Sequence, residues 1–153
     1  MYFELRLQPT VSIITAVRRS VSSIFDRVLE DPDASARVAL ATHELLENAL
    51  RHSTNGETQL NIRVDPPRSE VWVETRNQAS AAKIEKLQKR AVKVATGDPD
   101  DCYLEAMREA LLDEDIGGLG LVRIRAEGGM SVDVRTEGDV VHVIASTKYG
   151  AAA

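Results

Sequence analysis

The stretch that decides the fold reads His43-Glu44-Leu45-Leu46-Glu47-Asn48-Ala49-Leu50-Arg51-His52. Apolar residues recur there at helical spacing, within a helix that the pattern predicts from Ala34 to Arg51. On that helix Glu44 and Asn48 are four positions apart, so both side chains point from one face into the same space. Taken alone, the pair also suits a solvated helix face. A carboxylate and an amide on one face can, however, contact a single ligand.

A second informative stretch, before the last two predicted strands, reads Gly117-Gly118-Leu119-Gly120-Leu121. A plain turn at the start of a helix accounts for these glycines when they are considered alone. A glycine-rich turn that runs into a helix also lets backbone N–H groups approach phosphate oxygens. Because the same chain carries Glu44 and Asn48, the two stretches together predict a nucleotide site.

Composition narrows the class of protein. The 153 residues predict one domain over residues 1–149 with a short tail at 150–153. The net charge of −5 argues against broad nonspecific attraction to nucleic acid or to an anionic membrane. The single cysteine, Cys102, excludes an internal disulfide, and no apolar stretch approaches the ~18 residues of a membrane span. We therefore expect a cytoplasmic protein with no nucleic-acid or membrane partner.

Strand and helix patterns occur in runs along the rest of the chain. We predict strands at 2–7, 60–64, 71–73, 130–135 and 140–145, and helices at 10–29, 34–51, 79–95, 101–112 and 119–126. The segment Asp31-Pro32-Asp33 is expected to separate the first two helices. Runs of one element type favour an α+β sandwich over a doubly wound parallel sheet.

In this order of elements and in two motifs, the chain resembles the ATPase fold shared by gyrase, Hsp90, histidine kinases and MutL. The closest branch is that of the small bacterial anti-sigma factors and switch kinases. Residues 44–52 match the E-x-x-x-N-A-x-x-H signature of the family's second long helix, and residues 118–121 match the Gly-x-Gly-Leu box that ends its ATP lid. The resemblance implies a two-layer α/β sandwich, the GHKL or Bergerat fold, with a mixed, mostly antiparallel sheet of about five strands and helices on one face.

The resemblance also implies a role for each matching residue. Asn48 would bind Mg²⁺ through its side-chain oxygen, and Glu44 would orient or deprotonate the attacking hydroxyl or water. Arg51 or His52 would add positive charge near the phosphates, although His52 also suits an interaction with the C-terminal dipole of its helix. Backbone amides would donate to the phosphates from Gly117, Gly118, Leu119, Gly120 and Leu121.

The chain departs from the family on the adenine side of the expected site. Where the family has an Asp-x-Gly-x-Gly box after its third strand, this chain reads Val73-Glu74-Thr75-Arg76-Asn77-Gln78-Ala79-Ser80. Thr75 aligns with the missing aspartate and Asn77 substitutes in part, both as neutral acceptors that are weaker than a carboxylate. Arg76 and Gln78 are expected to crowd a pocket floor that the family builds from glycine.

These observations predict a bacterial regulatory switch protein that binds ATP and Mg²⁺, of the anti-sigma-factor or serine-protein-kinase type. The expected partner is a sigma factor or a STAS-type antagonist domain whose serine it could phosphorylate. The alternative is a pseudo-ATPase that keeps the fold and the partner but binds no nucleotide. The family also implies a possible homodimer through the first strand and helix, where either core packing or an interface explains Val11, Ile14, Val17 and Val21.

Overall fold

The computed structural model describes residues 1–112 and 119–150 of the chain. Gly117 and Gly118, which the sequence assigns to a phosphate-binding turn, therefore lie outside the described residues. A short 3₁₀ turn at Pro66–Arg68 joins the second and third strands. In chain order the elements are β1 (Tyr2–Leu7), α1 (Val11–Leu29), α2 (Pro32–His52), β2 (Thr58–Asp65), β3 (Glu70–Gln78), α3 (Ala81–Thr96), α4 (Pro99–Leu112), α5 (Leu119–Ala126), β4 (Ser131–Glu137) and β5 (Val140–Lys148).

The five strands form one sheet in the order β1-β2-β3-β5-β4, and all four pairings among them are antiparallel. Helices cover one face of this sheet. The expected α+β class, with a two-layer α/β sandwich built on about five mostly antiparallel strands, is confirmed. The central strand β3 lies between β2 and β5, and α2 packs directly against it. Side chains of α2 and β3 are thereby brought into the same layer.

Alternation along the strands divides the sheet into a buried face and an open face. Leu60, Ile62, Val73 and Val143 are fully buried on the helix side. Trp72 lies on the other face, as its position between Val71 and Val73 predicts, and the guanidinium of Arg63 stands 4.6 Å from the centre of its ring. The open face is consequently polar, which is usual for a sheet covered on one side only.

The two long helices pack against each other as well as on the sheet. In α1 the side chain of Thr10 caps the first turn, and Ile14 and Val21 are buried in the core. Val17 is half-buried, whereas Val11 is 73% exposed. These four residues were predicted to serve either the core or a dimer interface. The buried pair, Ile14 and Val21, therefore belongs to the core. Within residues 1–112 and 119–150, no helix has both the length and the apolarity needed to cross a bilayer.

The helix that carries the candidate site begins two residues earlier than its apolar pattern predicts. Asp31 is its N-cap, and the Asp31 carboxylate accepts a hydrogen bond of 3.1 Å from the backbone N–H of Ala34. Pro32 occupies the first helical position, where its missing N–H has no partner to lose. The Asp31-Pro32-Asp33 segment thus separates α1 from α2 and also forms the start of α2. The cap fixes where the first turn of α2 begins.

Candidate functional site

Two polar side chains of α2 point into one small cavity beside α5. Glu44 is 4% exposed and Asn48 is 8% exposed, although both residue types are usually found at the surface. The cavity has a volume of about 90 Å³. The described residues that line it are Glu44, Glu47, Asn48, Arg51, Leu119, Gly120 and Arg123. The structure thus brings together Glu44, Asn48, Arg51, Leu119 and Gly120, which the sequence assigned to one site.

The carboxylate of Glu44 is held by an arginine from α5. Its Oε1 atom lies 2.9 Å from Nη1 of Arg123. Burial raises the pKa of the Glu44 carboxyl, and the positive charge of Arg123 offsets this rise only in part. The carboxyl is therefore less acidic than a solvated glutamate, which suits a group that accepts a proton near neutral pH.

The side chain of Asn48 has a hydrogen-bond acceptor that no donor among the described residues reaches. Its Oδ1 atom is buried and has no hydrogen-bond partner among the described residues. Buried polar atoms of this kind are normally paired, since leaving one unpaired costs about 1–3 kcal/mol. An amide oxygen that faces a cavity is also one of the oxygen ligands that Mg²⁺ and Ca²⁺ accept. Asn48 is thus suited to a ligand that enters the cavity.

The first turn of α5 packs directly on Glu44. A Cβ atom added at Gly120 would lie 2.9 Å from Oε2 of Glu44, closer than real Cβ contacts come. Glycine at this position therefore lets α5 approach α2 without displacing the Glu44 carboxylate. Leu119 lines the cavity, while the side chain of Leu121 is 2% exposed and belongs to the hydrophobic core. Among the described residues of the glycine stretch, Leu119 and Gly120 are the ones at the cavity.

The two basic residues at the end of α2 differ in position. Arg51 lines the cavity with an exposed side chain, and its backbone carbonyl accepts a hydrogen bond of 3.0 Å from Nζ of Lys83. His52 is the last residue of α2 and is half-buried. It is not among the described residues that line the cavity. Of the two, Arg51 is the better placed to add positive charge there.

Thr75 and Asn77 lie on β3 and face the helix layer. Thr75 is fully buried between Leu60 and Val143, its partners in the sheet. Neither Oγ1 of Thr75 nor Oδ1 of Asn77 has a hydrogen-bond partner among the described residues. Asn77 also lines a separate groove of about 670 Å³ at one end of the sheet. Both side chains thus carry an acceptor oxygen without a partner among the described residues, on the helix-covered face of the sheet.

Arg76 and Gln78 do not occupy that face, so the expectation that they crowd the pocket floor was wrong. Strand β3 continues to Gln78, and side chains alternate along it. Arg76 therefore lies on the open face of the sheet, beside its strand partners Gln59 and His142. Because the predicted strand ended at residue 73, this alternation was not expected at Arg76 and Gln78.

Two functional candidates were missing from the sequence interpretation. The first is Arg123, which reaches Glu44 only because α5 packs on α2, so no spacing in the sequence indicates it. The second is the pair of His43 and Glu47, whose Nε2 and Oε1 atoms lie 3.2 Å apart. With Glu44 they place three possible metal-ligand atoms within 4.8 Å of one another. Their spacing of four residues was a usable signal, because such residues face each other on a helix.

Comparisons with known proteins give a structural likeness without a sequence match. The chain matches no protein-family model, and it matches no curated protein. Its structure is similar to a chain in the crystal structure of the SiaB-SiaC complex from Pseudomonas aeruginosa, with a TM-score of 0.68 and 13% sequence identity. The likeness covers 95% of this chain and 88% of that chain. At this level of identity, it shows that the two chains share a fold.

Proposed function

We propose that this protein is a regulatory protein that acts on a protein partner and binds a nucleotide with Mg²⁺ at the cavity beside Glu44 and Asn48. The observation that carries the proposal is the burial of both side chains in one cavity against the glycine-containing start of α5. A carboxylate and an amide are costly to bury. Their placement is more easily explained by a ligand than by the stability of the helix.

The residues at the cavity fit a hydrated metal ion and phosphate groups. Asn48 offers a free amide oxygen for the metal, and Arg51 offers positive charge at the rim. The N-terminal turn of α5, at Leu119 and Gly120, carries backbone N–H groups and the positive end of a helix dipole. Mg²⁺ would neutralise phosphate charge when bound. Glu44, with its raised pKa, would hold or accept the proton of an attacking hydroxyl group.

On the adenine side, the fit rests on two neutral acceptors. Thr75 and Asn77 keep unpaired oxygens among the described residues, and adenine presents an amino group that can donate to such an oxygen. Neutral acceptors bind more weakly than the carboxylate of the related family. We therefore expect weak nucleotide binding that depends on the metal and the phosphates more than on the base.

A protein partner is supported by the resemblance to anti-sigma factors and switch kinases and by the structural neighbour. The neighbouring chain was crystallised in a SiaB-SiaC complex, and the present chain shares its fold over most of its length. We infer a partner of the sigma-factor or STAS-domain type. In the kinase form of this proposal, a serine hydroxyl of the partner is the group that Glu44 deprotonates.

Calorimetric titration with ATP and Mg²⁺ tests the proposal. Asn48→Ala should abolish Mg²⁺-dependent binding while the domain stays folded, because only the cavity loses an acceptor. Gln88→Ala is a matched control, since it removes an amide from an exposed face of α3. Equal affinity in wild type and Asn48→Ala would remove Asn48 from the site.

Two observations favour the second candidate function, a pseudo-ATPase that binds its partner without nucleotide. The cavity of about 90 Å³ is far below the roughly 300–1,000 Å³ of ordinary ligand pockets. Arg123 also already neutralises Glu44. If calorimetry detects no ATP binding to wild type, with or without Mg²⁺, while a partner still binds, this second function replaces the first.

A further inference from the structure

The Arg123–Glu44 ion pair connects the helix after the glycine stretch to the most buried charge of the site. The distance from Arg123 Nη1 to Glu44 Oε1 is 2.9 Å. The two side chains differ in exposure, because Glu44 is 4% exposed and Arg123 is 38% exposed. One partner is therefore fixed within the protein, while the other can reach solvent.

Arg123 has a second acidic neighbour outside the cavity. Its Nη2 and Nε atoms each lie 3.4 Å from Oε2 of Glu127, the residue that follows the end of α5. If the guanidinium leaves Glu44, it retains a carboxylate partner near the surface. Glu44, in contrast, would remain as an uncompensated charge, which is costly in a buried site. Departure of Arg123 thus requires another cation at Glu44 or protonation of its carboxyl.

The same contact narrows the cavity between α2 and α5. Gly120 touches Glu44 so closely that an added Cβ atom would stand 2.9 Å from Oε2, and Arg123 lies one turn later on the same helix. These two contacts hold α5 against α2 and restrict the shared cavity to about 90 Å³. The phosphates of a nucleotide and their metal ion cannot both be held in a space of this size unless α5 moves away from α2.

We propose that the Arg123–Glu44 ion pair, which we call the latch, is an autoinhibitory contact that holds α5 over the site in the ligand-free protein. This inference rests on the proposed nucleotide function and adds a contact that regulates nucleotide binding. A metal–polyphosphate ligand opens the latch because it brings a cation to Glu44, which releases Arg123 to its second partner, Glu127. A metal-free polyphosphate brings no cation to Glu44, so the latch stays in place.

Hydrogen exchange of the ligand-free protein tests the latch without any nucleotide. Arg123→Gln should speed the exchange of amides in residues 119–126 by roughly fivefold or more, since a partly exposed ion pair has about a fivefold effect on an equilibrium and Glu44 is buried. Arg125→Gln is the matched control, because it removes a charge from the same helix without touching the latch. Exchange in the central strands β3 and β5 should stay unchanged, which excludes general destabilisation.

Binding of Mg²⁺ and ATP provides the second measurement. If both the latch and the proposed function are right, Arg123→Gln binds Mg²⁺–ATP roughly fivefold more tightly than wild type, and Arg125→Gln binds like wild type. Unchanged exchange in residues 119–126 would overturn the latch, and so would weaker binding by Arg123→Gln. If exchange rises but no variant binds Mg²⁺–ATP, the holding role of the ion pair stands and the proposed nucleotide function fails.

Discussion

Replacing Gly120 with alanine changes the contact between α5 and Glu44, and the structure sets the size of the effect. The added Cβ would lie 2.9 Å from Oε2 and 3.5 Å from Cβ of Glu44. Overpacking of this kind costs about 1–3 kcal/mol. Exchange of glycine for alanine within a helix stabilises by about 1 kcal/mol. We therefore expect Gly120→Ala to lower the free energy of unfolding by about 0–2 kcal/mol.

The Glu44→Ala background separates these two opposing effects. Without the carboxylate, the contact at 2.9 Å is gone and the remaining approach to Cβ of residue 44, at 3.5 Å, is ordinary van der Waals contact. Gly120→Ala should then stabilise the protein by about 1 kcal/mol. The two substitutions should accordingly be non-additive by about 1–3 kcal/mol.

Urea unfolding of the four proteins measures this coupling. Wild type, each single variant and the double variant are compared by their unfolding midpoints, and equal slopes show that the same surface is exposed in each. Additive effects, within about 0.5 kcal/mol, would mean that residues 44 and 120 do not touch. That result would refute the placement of α5 on Glu44 and, with it, the narrow cavity between α2 and α5.

Three other predictions concern the site and the core. Burial raises the pKa of Glu44 above its unfolded value, so its contribution to stability is present at low pH and is lost as the pH rises through the raised pKa. In thermal unfolding, Glu44→Gln should therefore become more stable relative to wild type as the pH rises. A difference in stability that stays constant with pH would contradict this. Phe25 is fully buried, and its ring contacts that of Phe3 edge to face. Phe25→Ala should therefore lower the free energy of unfolding, measured in urea, by about 3–5 kcal/mol. A decrease below about 1 kcal/mol would contradict its core position. If Thr75 and Asn77 accept from the base, ATP should raise the unfolding midpoint more than GTP at equal Mg²⁺, whereas equal shifts would remove both residues from base recognition.

The fold was largely predictable because its elements carry regular apolar patterns. The bounds of β1 and α5 agree with the sequence interpretation, and Trp72 lies on the face that alternation predicts. The second half of β3 was missed because its inward positions there are Thr75 and Asn77, so the apolar alternation stops although the strand continues. Buried polar residues hide a strand from a hydrophobicity pattern.

The candidate site was predictable only where its residues share one element. Glu44 and Asn48 lie four positions apart on α2, and this spacing alone places them on one face. Arg123 belongs to another helix, and its ion pair with Glu44 depends on how α5 packs against α2. Such a contact between elements has no sequence spacing of its own. The same reason explains why the small volume of the cavity was not predicted.

The most direct test of the proposed site is to locate a bound metal–nucleotide by paramagnetic broadening. Mn²⁺–ATP is titrated into nitrogen-15-labelled protein, because Mn²⁺ broadens the signals of nearby nuclei and accepts the same oxygen ligands as Mg²⁺. We predict that the side-chain amide signal of Asn48 broadens first, together with backbone signals of Glu44 and residues 119–121. Broadening that spares Asn48 and α5, or no broadening at any Mn²⁺–ATP concentration, would contradict a nucleotide site at this cavity.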